Sequence, residues 1–255
     1  MHEVPYDPFE QNAIPTLFIY PIVIVILSVI VFYTLKQYFA KRSKIALYLS
    51  LGLLSYDLAA AVLLVGILEA YIDGYFGSVY RFSLPIGYIG GVLGTFFMLY
   101  FAKETFWKFG GKIETLYIAG TIILILWLLY DPIFADILRI SDPFNWWGRT
   151  APEDVYNFRA VTQFVLLAYS IAVYTVILIH SRKAAKTASD AIFAKKLNSI
   201  ATGALGMILF YFFMFIDGIV IILTGRGYSI FVYLAWVVGV YSLYSYYRGF
   251  APRKK

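Results

Sequence analysis

The sequence predicts an all-α membrane protein, a bundle of seven transmembrane helices forming a single domain over residues 1–255. Three observations predict this fold. Hydrophobic residues make up 61% of the chain and charged residues 14%, against roughly 45–50% and about 25% in soluble domains. Seven apolar stretches are each long enough to cross the hydrocarbon layer, which takes about 20 helical residues. Basic residues are concentrated in alternate connections between these stretches.

The seven predicted spans are separated by short connections. They run over residues 15–37, 45–70, 84–107, 114–131, 157–180, 197–224 and 227–248. Pro15 opens the first span, where its missing N–H leaves no donor unpaired, and the fourth span ends at Asp131. Runs such as PIVIVILSVIVFY do not alternate polar and apolar residues, so they favour helices over transmembrane β-strands. The first dozen residues contain three acids and no Lys or Arg, so we expect a retained first helix rather than a signal peptide.

The basic residues predict which side of the membrane each connection faces. With the N-terminus outside, 16 of the 21 Lys and Arg residues lie in the inner connections and the C-terminal tail, and 5 lie in the outer segments. Lys and Arg near span ends mark the cytoplasmic side. The sequence therefore predicts a multi-pass protein of the cell membrane with an extracellular N-terminus and a cytoplasmic C-terminus. The predicted partners at the basic inner face are anionic lipids and a cytoplasmic or membrane protein.

Two connections have features of their own. The outer connection of about 132–156 contains Trp146 and Trp147. These rings either belong to the aromatic belt at the headgroups or form a stacking platform for an extracellular ligand. The stretch 132–140 has the pattern of a short interfacial amphipathic helix. The inner connection 181–196 is rich in alanine, a strong helix former, so we expect it to extend the fifth or sixth helix into the cytoplasm.

The third span carries four glycines in two overlapping pairs with small-xxx-small spacing, Gly87 with Gly91 and Gly90 with Gly94. Glycine lets a neighbouring helix approach closely, and this contact replaces the hydrophobic driving force that is missing in lipid. We interpret the glycines as an internal packing surface. A dimer interface and a ligand cleft are the alternatives.

Acidic side chains inside the spans are the first candidates for function, because a charge near mid-membrane costs several kcal/mol by most estimates. Three acids lie within the predicted spans: Asp57, Glu69 and Asp217. At about 1.5 Å rise per residue, Asp57 lies near the membrane centre, and the other two lie toward the outer side. Judged by their predicted depth in the membrane alone, the three acids could line one cavity that opens outward.

Asp57 has no Lys or Arg at its depth in the predicted bundle, so we expect its carboxyl group to be protonated or hydrogen-bonded. Thr95, Tyr169, Tyr211 and Trp236 fall at a similar depth and are the predicted donors. Two interpretations stay open. Asp57 either makes a structural hydrogen bond between helices, or it has a proton-linked or ligand-contacting role.

The composition excludes several classes of chemistry. The chain contains no cysteine and two histidines, which excludes disulfides, thiolate metal sites, cysteine nucleophiles and histidine-rich metal centres. No nucleophile–base arrangement is present, so we expect neither an enzyme nor a resident cofactor. The net charge of +6 is explained by the membrane orientation, and we expect no nucleic-acid partner. The tyrosine-rich, cysteine-free composition would suit a heat-adapted prokaryote, such as an archaeon.

Seven spans with an outer N-terminus are the arrangement of microbial rhodopsins and of G-protein-coupled receptors, and the resemblance is restricted to span number and orientation. The stretch 227–247 contains no lysine, which excludes a retinal Schiff base there. The favoured hypothesis is a receptor- or sensor-like protein with an outward-facing pocket and a basic cytoplasmic face. The alternatives are a proton-linked transporter or channel that uses Asp57, and an accessory subunit of a membrane complex.

Overall fold

The computed structural model describes residues 8–108, 110–129, 153–224 and 228–250. In these ranges the chain is helical, and seven helices are long and apolar enough to cross a membrane. This confirms the predicted all-α class and the predicted number of helices able to span a membrane. A 3₁₀ turn at Gln11–Ala13 precedes them. The helices are α1 (Thr16–Lys41), α2 (Lys44–Asp73), α3 (Ser78–Thr105), α4 (Lys112–Leu129), α5 (Glu153–Thr187), α6 (Ala191–Thr224) and α7 (Ile230–Phe250).

Six of the seven helices form a closed ring. Around the ring, α1 packs on α2, α2 on α3, α3 on α5, α5 on α6, α6 on α7, and α7 returns to α1. Helix α4 lies outside the ring and packs mainly against α3. Apolar side chains lie on the outside of the bundle as well as inside: Leu116 is 75% exposed and Phe18 68% exposed. This distribution fits helices that contact a lipid bilayer.

Helices α5 and α6 are longer than the predicted spans at their shared end. They run through Thr187 and from Ala191, so most of the stretch 181–196 is helical. At the tip of this helical hairpin, the Asp190 carboxylate accepts a hydrogen bond from the backbone N–H of Ile192 at 2.9 Å. Such a bond satisfies one of the free amides at the start of a helix, and it fixes the start of α6.

The segment before α1 lies across the end of the bundle at which α1, α3 and α7 begin. The N–H of Phe9 donates to the carbonyl of Gly74 at 2.9 Å, just after α2 ends. The Tyr233 hydroxyl of α7 donates to the carbonyl of Asn12. Gly74 has φ +77°, a left-handed conformation that glycine adopts without steric cost. The turn that ends α2 therefore also anchors the chain in front of α1.

The tightest helix contact joins α2 and α3, and we call it the α2–α3 seam. A Cβ atom added at Gly90 would lie 2.7 Å from the Cβ of Ala59. A Cβ at Gly94 would lie 2.5 Å from the Tyr56 ring, and a Cβ at Gly87 would lie 2.8 Å from Leu63. Three of the four glycines of the predicted packing surface therefore face α2.

Candidate functional site

A cavity lies inside the helix ring, between α2, α3, α5, α6 and α7. Its volume is about 70 Å³, well above the space that one water molecule needs. Its walls include the aromatic rings of Tyr88, Phe210, Phe215 and Trp236. No Asp, Glu, Lys, Arg or His is among the described residues that line it.

The fourth glycine of α3 faces this cavity. A Cβ added at Gly91 would meet the Tyr211 hydroxyl at 3.4 Å and nothing nearer, which is ordinary van der Waals contact. Gly91 lies about one turn from Gly87 and Gly94, at the edge of the same face of α3, and Gly87 also lines the cavity. The missing side chain therefore leaves open space beside a hydroxyl group.

Four hydroxyl groups meet at the wall of the cavity, and we call them the hydroxyl cluster: Tyr56, Thr95, Tyr174 and Tyr211. The Tyr56 hydroxyl lies 2.5 Å from that of Tyr174, 3.0 Å from that of Thr95 and 3.3 Å from that of Tyr211. The hydroxyls of Thr95 and Tyr211 are 3.1 Å apart. Tyr56 and Tyr211 line the cavity, so the cluster gives an otherwise apolar site one polar end.

A second set of hydroxyls ties the outer helix α4 to the ring. The Tyr169 hydroxyl of α5 donates to that of Tyr117 in α4 at 2.8 Å and lies 2.9 Å from that of Thr121. The Tyr117 hydroxyl donates to the backbone carbonyl of Thr95 at 3.3 Å. The Tyr117 ring stacks between those of Phe96 and Tyr169, each 5.6 Å away. These contacts place α4 over the groove between α3 and α5.

Asp57 lies at the contact between α1 and α2. It is 7% exposed, and its Oδ2 accepts a hydrogen bond from the Ser28 hydroxyl of α1 at 2.7 Å. Its Oδ1 is buried and has no hydrogen-bond partner among the described residues. Asp57 is not part of the cavity wall. A one-residue step along a helix turns the side chain by about 100°, so Asp57 points to α1 while Tyr56 points to the cavity.

The other two predicted acids cap the starts of helices. The Glu69 carboxylate of α2 accepts hydrogen bonds from the backbone N–H groups of Val79 and Tyr80, at 3.0 and 2.9 Å. Asp217 of α6 accepts one from the N–H of Ser229 at 2.8 Å. These carboxylates satisfy backbone donors at the starts of α3 and α7. Neither lines the cavity, so the structure places the three acids at three separate positions.

The residues predicted as donors to Asp57 lie elsewhere. Thr95 and Tyr211 belong to the hydroxyl cluster, Trp236 forms part of the cavity wall, and Tyr169 bonds to α4. Trp146 and Trp147 lie outside the described residues. The sequence reading did not single out Tyr56, Tyr174 or Tyr117. For Tyr56 and Tyr174 a usable signal was present, because both fall well inside apolar spans, where a hydroxyl group needs a partner.

A charged pair joins α3 to α4 at the end of the bundle opposite the start of α1. Lys103 lies 2.6 Å from Oε1 of Glu114, and the Tyr100 hydroxyl donates to the same oxygen at 2.9 Å. The sequence places Lys103 next to Glu104, but the ion pair forms with the acid on the neighbouring helix. Elsewhere in the described ranges, no group of three or more His, Asp or Glu side chains could hold a metal ion.

Comparison with known protein families, with curated proteins and with solved structures finds no match to this chain.

Proposed function

We propose that this chain is a non-enzymatic, receptor- or sensor-like integral membrane protein that binds a small, largely apolar molecule. The observation that carries the proposal is the cavity inside the helix ring, with aromatic walls and one polar end. Apolar walls with a few placed polar groups are the general form of small-molecule sites. The cavity extends from mid-bundle toward the end at which α1 begins, which the basic residues of the sequence assign to the outside.

The lining of the cavity favours binding over transport of a charged substrate. An ion or a charged metabolite would lose its water shell there without gaining an opposite charge, which is costly. The opposite end of the bundle carries exposed basic residues, among them Lys183, Lys186 and Lys195 on the α5–α6 hairpin. This basic surface would contact anionic lipids or a cytoplasmic protein that receives the signal.

The binding proposal is tested with a matched pair of glycine substitutions. Gly91→Val places a side chain in the cavity, whereas Gly120→Val on α4 has no atom within 4 Å of the new Cβ. We expect saturable binding of radiolabelled naphthalene to the unchanged protein in nanodiscs and to Gly120→Val, after subtraction of empty nanodiscs. Gly91→Val should lose this binding. Equal binding by both variants would contradict the proposal.

The orientation is tested with single cysteines, which the cysteine-free sequence allows. Asp73→Cys should react with a membrane-impermeant maleimide on intact cells. Ser189→Cys, at the hairpin tip, should react only after permeabilisation. The reverse pattern would place the end of the bundle at which α1 begins on the cytoplasmic side and contradict an extracellular receptor.

Asp57 supports a second candidate function, a proton-linked transporter or channel. Its buried Oδ1 lacks a partner among the described residues, and such groups within membrane spans often mark proton pathways. In proteoliposomes, proton uptake driven by a pH gradient should be lost in Asp57→Asn and retained in Ser28→Ala. If the unchanged protein shows no uptake above empty liposomes, this alternative fails. The third prediction, an accessory subunit, would be tested by crosslinking in native membranes.

A further inference from the structure

We infer that the cavity takes a neutral alcohol, an apolar molecule ending in one hydroxyl group that hydrogen-bonds to Tyr211 and Ser170. This inference rests on the proposed function, because it names the chemical class of the ligand. It requires three things of the site: no charge on the wall, an open hydrogen-bond acceptor, and a donor beside it.

The hydrogens of the cluster can be counted. The Thr95 hydroxyl donates to the carbonyl of Gly91 at 2.9 Å, and the Tyr211 hydroxyl can donate to the Thr95 oxygen at 3.1 Å. Tyr56 can then donate to Thr95, and Tyr174 to Tyr56. The Gly91 carbonyl also accepts the helical bond from the N–H of Thr95, and a hydroxyl oxygen accepts two hydrogen bonds, so all four hydroxyl hydrogens have acceptors in this arrangement.

This arrangement leaves the Tyr211 oxygen as the acceptor at the open end. Each hydroxyl oxygen has two acceptor positions, and in this arrangement no other member of the cluster donates to Tyr211. Ser170, on α5, lines the same cavity. The Tyr211 oxygen therefore keeps an open acceptor position for a donor that the ligand supplies.

A hydroxyl group matches this pair better than other neutral groups do. It donates one hydrogen bond, here to Tyr211, and it accepts from a neighbour, here Ser170. A ketone or an ester could only accept, and would leave the Tyr211 position unfilled. The open space at Gly91 is where such a hydroxyl fits, since a Cβ there would lie 3.4 Å from the Tyr211 oxygen. The apolar body would then lie between Phe210, Trp236 and Tyr88.

The test compares three flat probes of nearly equal size: naphthalene, 2-naphthol and 2-naphthoate. Binding of each radiolabelled probe is measured to the full chain in nanodiscs at neutral pH, relative to its concentration in the lipid of empty nanodiscs. One neutral hydrogen bond predicts that 2-naphthol binds about threefold to tenfold more tightly than naphthalene. The charged 2-naphthoate should bind more weakly than both.

Two variants assign the preference to the two hydroxyls. Tyr211→Phe should abolish the preference for 2-naphthol over naphthalene, so that both probes bind about equally, and it should leave naphthalene binding unchanged. Ser170→Ala should reduce it in part, and this substitution replaces a small helical residue with one that favours helix. Tyr169→Phe is the matched control, because it removes a hydroxyl that bonds to α4 and is not on the cavity wall. It should keep the full preference.

The outcomes separate this inference from the proposed function. Saturable naphthalene binding with no preference for 2-naphthol would overturn the alcohol inference and leave the binding proposal standing. A preference that survives in both Tyr211→Phe and Ser170→Ala would also overturn it. If none of the three probes binds saturably, both the proposed function and this inference fail.

Discussion

Neighbouring glycines on one face of α3 act in opposite ways. Toward α2, Gly87, Gly90 and Gly94 let the helices approach until a single added Cβ would collide with the neighbour. At the edge of this face, beside the cavity, an added Cβ at Gly91 would reach only van der Waals contact, with the Tyr211 hydroxyl. The absence of a side chain builds a packed seam toward α2 and leaves room at the edge of the face.

This contrast teaches that a glycine pattern in a membrane helix can serve two purposes within two turns. The α2–α3 seam positions Tyr56, whose ring packs on Gly94 and whose hydroxyl joins the cluster beside the cavity. The polar end of the cavity therefore depends on the seam behind it. Substitutions on the seam should act on stability, and those on the cavity side should act mainly on binding.

The largest expected effect on the free energy of unfolding comes from substituting Gly90 on the α2–α3 seam. Gly90→Ala should lower the free energy of unfolding by about 1–3 kcal/mol, because the new Cβ overpacks the core. Its nearest atoms are the Cβ of Ala59 at 2.7 Å and the backbone carbonyl of Ser55 at 2.9 Å, and backbone cannot move aside cheaply. The measurement is reversible unfolding in mixed detergent micelles.

Gly91→Ala is the matched control, one residue along the same helix. It should be neutral or stabilise the protein by up to about 1 kcal/mol, since alanine has the higher helix propensity. If Gly91→Ala destabilises the protein as much as Gly90→Ala does, the two glycine positions are equally packed and the comparison fails.

The second effect concerns the end of the seam at which α3 begins. Glu69→Ala should lower the free energy of unfolding by about 0.5–2 kcal/mol, the usual cost of removing a helix cap. The carboxylate bonds two backbone N–H groups there, and Gln, with one oxygen, should recover part of the loss. Glu104 is exposed and lies on α3, the helix that Glu69 caps. Glu104→Ala should therefore leave the free energy of unfolding unchanged. An equal loss in Glu104→Ala would rule out the capping role.

A smaller effect is expected where the seam meets the cavity. Tyr56→Phe keeps the ring against Gly94 but removes the hydroxyl at the centre of the cluster, so unfolding should become easier by about 0.5–1.5 kcal/mol. Because Tyr174 then loses its acceptor, the preference for 2-naphthol should also fall. Tyr233→Phe is the comparison, since its hydroxyl bonds to Asn12 away from the cluster. Binding preferences that change equally in both variants would contradict a special role for Tyr56.

The sequence predicts the number of spans because span length and hydropathy are properties of consecutive residues. It also predicts depth, since residue number measures distance along a helix. It does not show which way each side chain points or which helices are neighbours. The sequence predicts a similar membrane depth for Asp57, Thr95 and Tyr211. In the structure Asp57 contacts α1, whereas Thr95 and Tyr211 meet inside the ring. Tyr56 was overlooked because its partners are 39 to 155 residues away in the chain.

For Glu69 and Asp217, as for Asp57, the depth predicted from the sequence does not reveal what the side chain contacts. Glu69 and Asp217 were grouped with Asp57 because all three are charged residues within apolar stretches. In the structure, Glu69 and Asp217 bond to backbone amides of the next helix. A capping partner 10 or 12 residues away depends on the geometry of the turn, and the sequence pattern of these spans carries no sign of it.

The smallest effect is expected where α4 attaches to α3, outside both the seam and the cavity. Lys103→Met removes the ion pair between Lys103 and Glu114. Their side chains are 22% and 27% exposed, and solvent-accessible ion pairs of this kind contribute little to the free energy of unfolding. Unfolding should become slightly easier at low ionic strength, and the difference should vanish near 1 M salt, where charges are screened within about 3 Å. Lys112→Met, at the start of α4, is the control and should change nothing. A large, salt-independent loss in Lys103→Met would mean that α4 is held as firmly as the helices of the ring, and that the division between a packed ring and an outer helix is wrong.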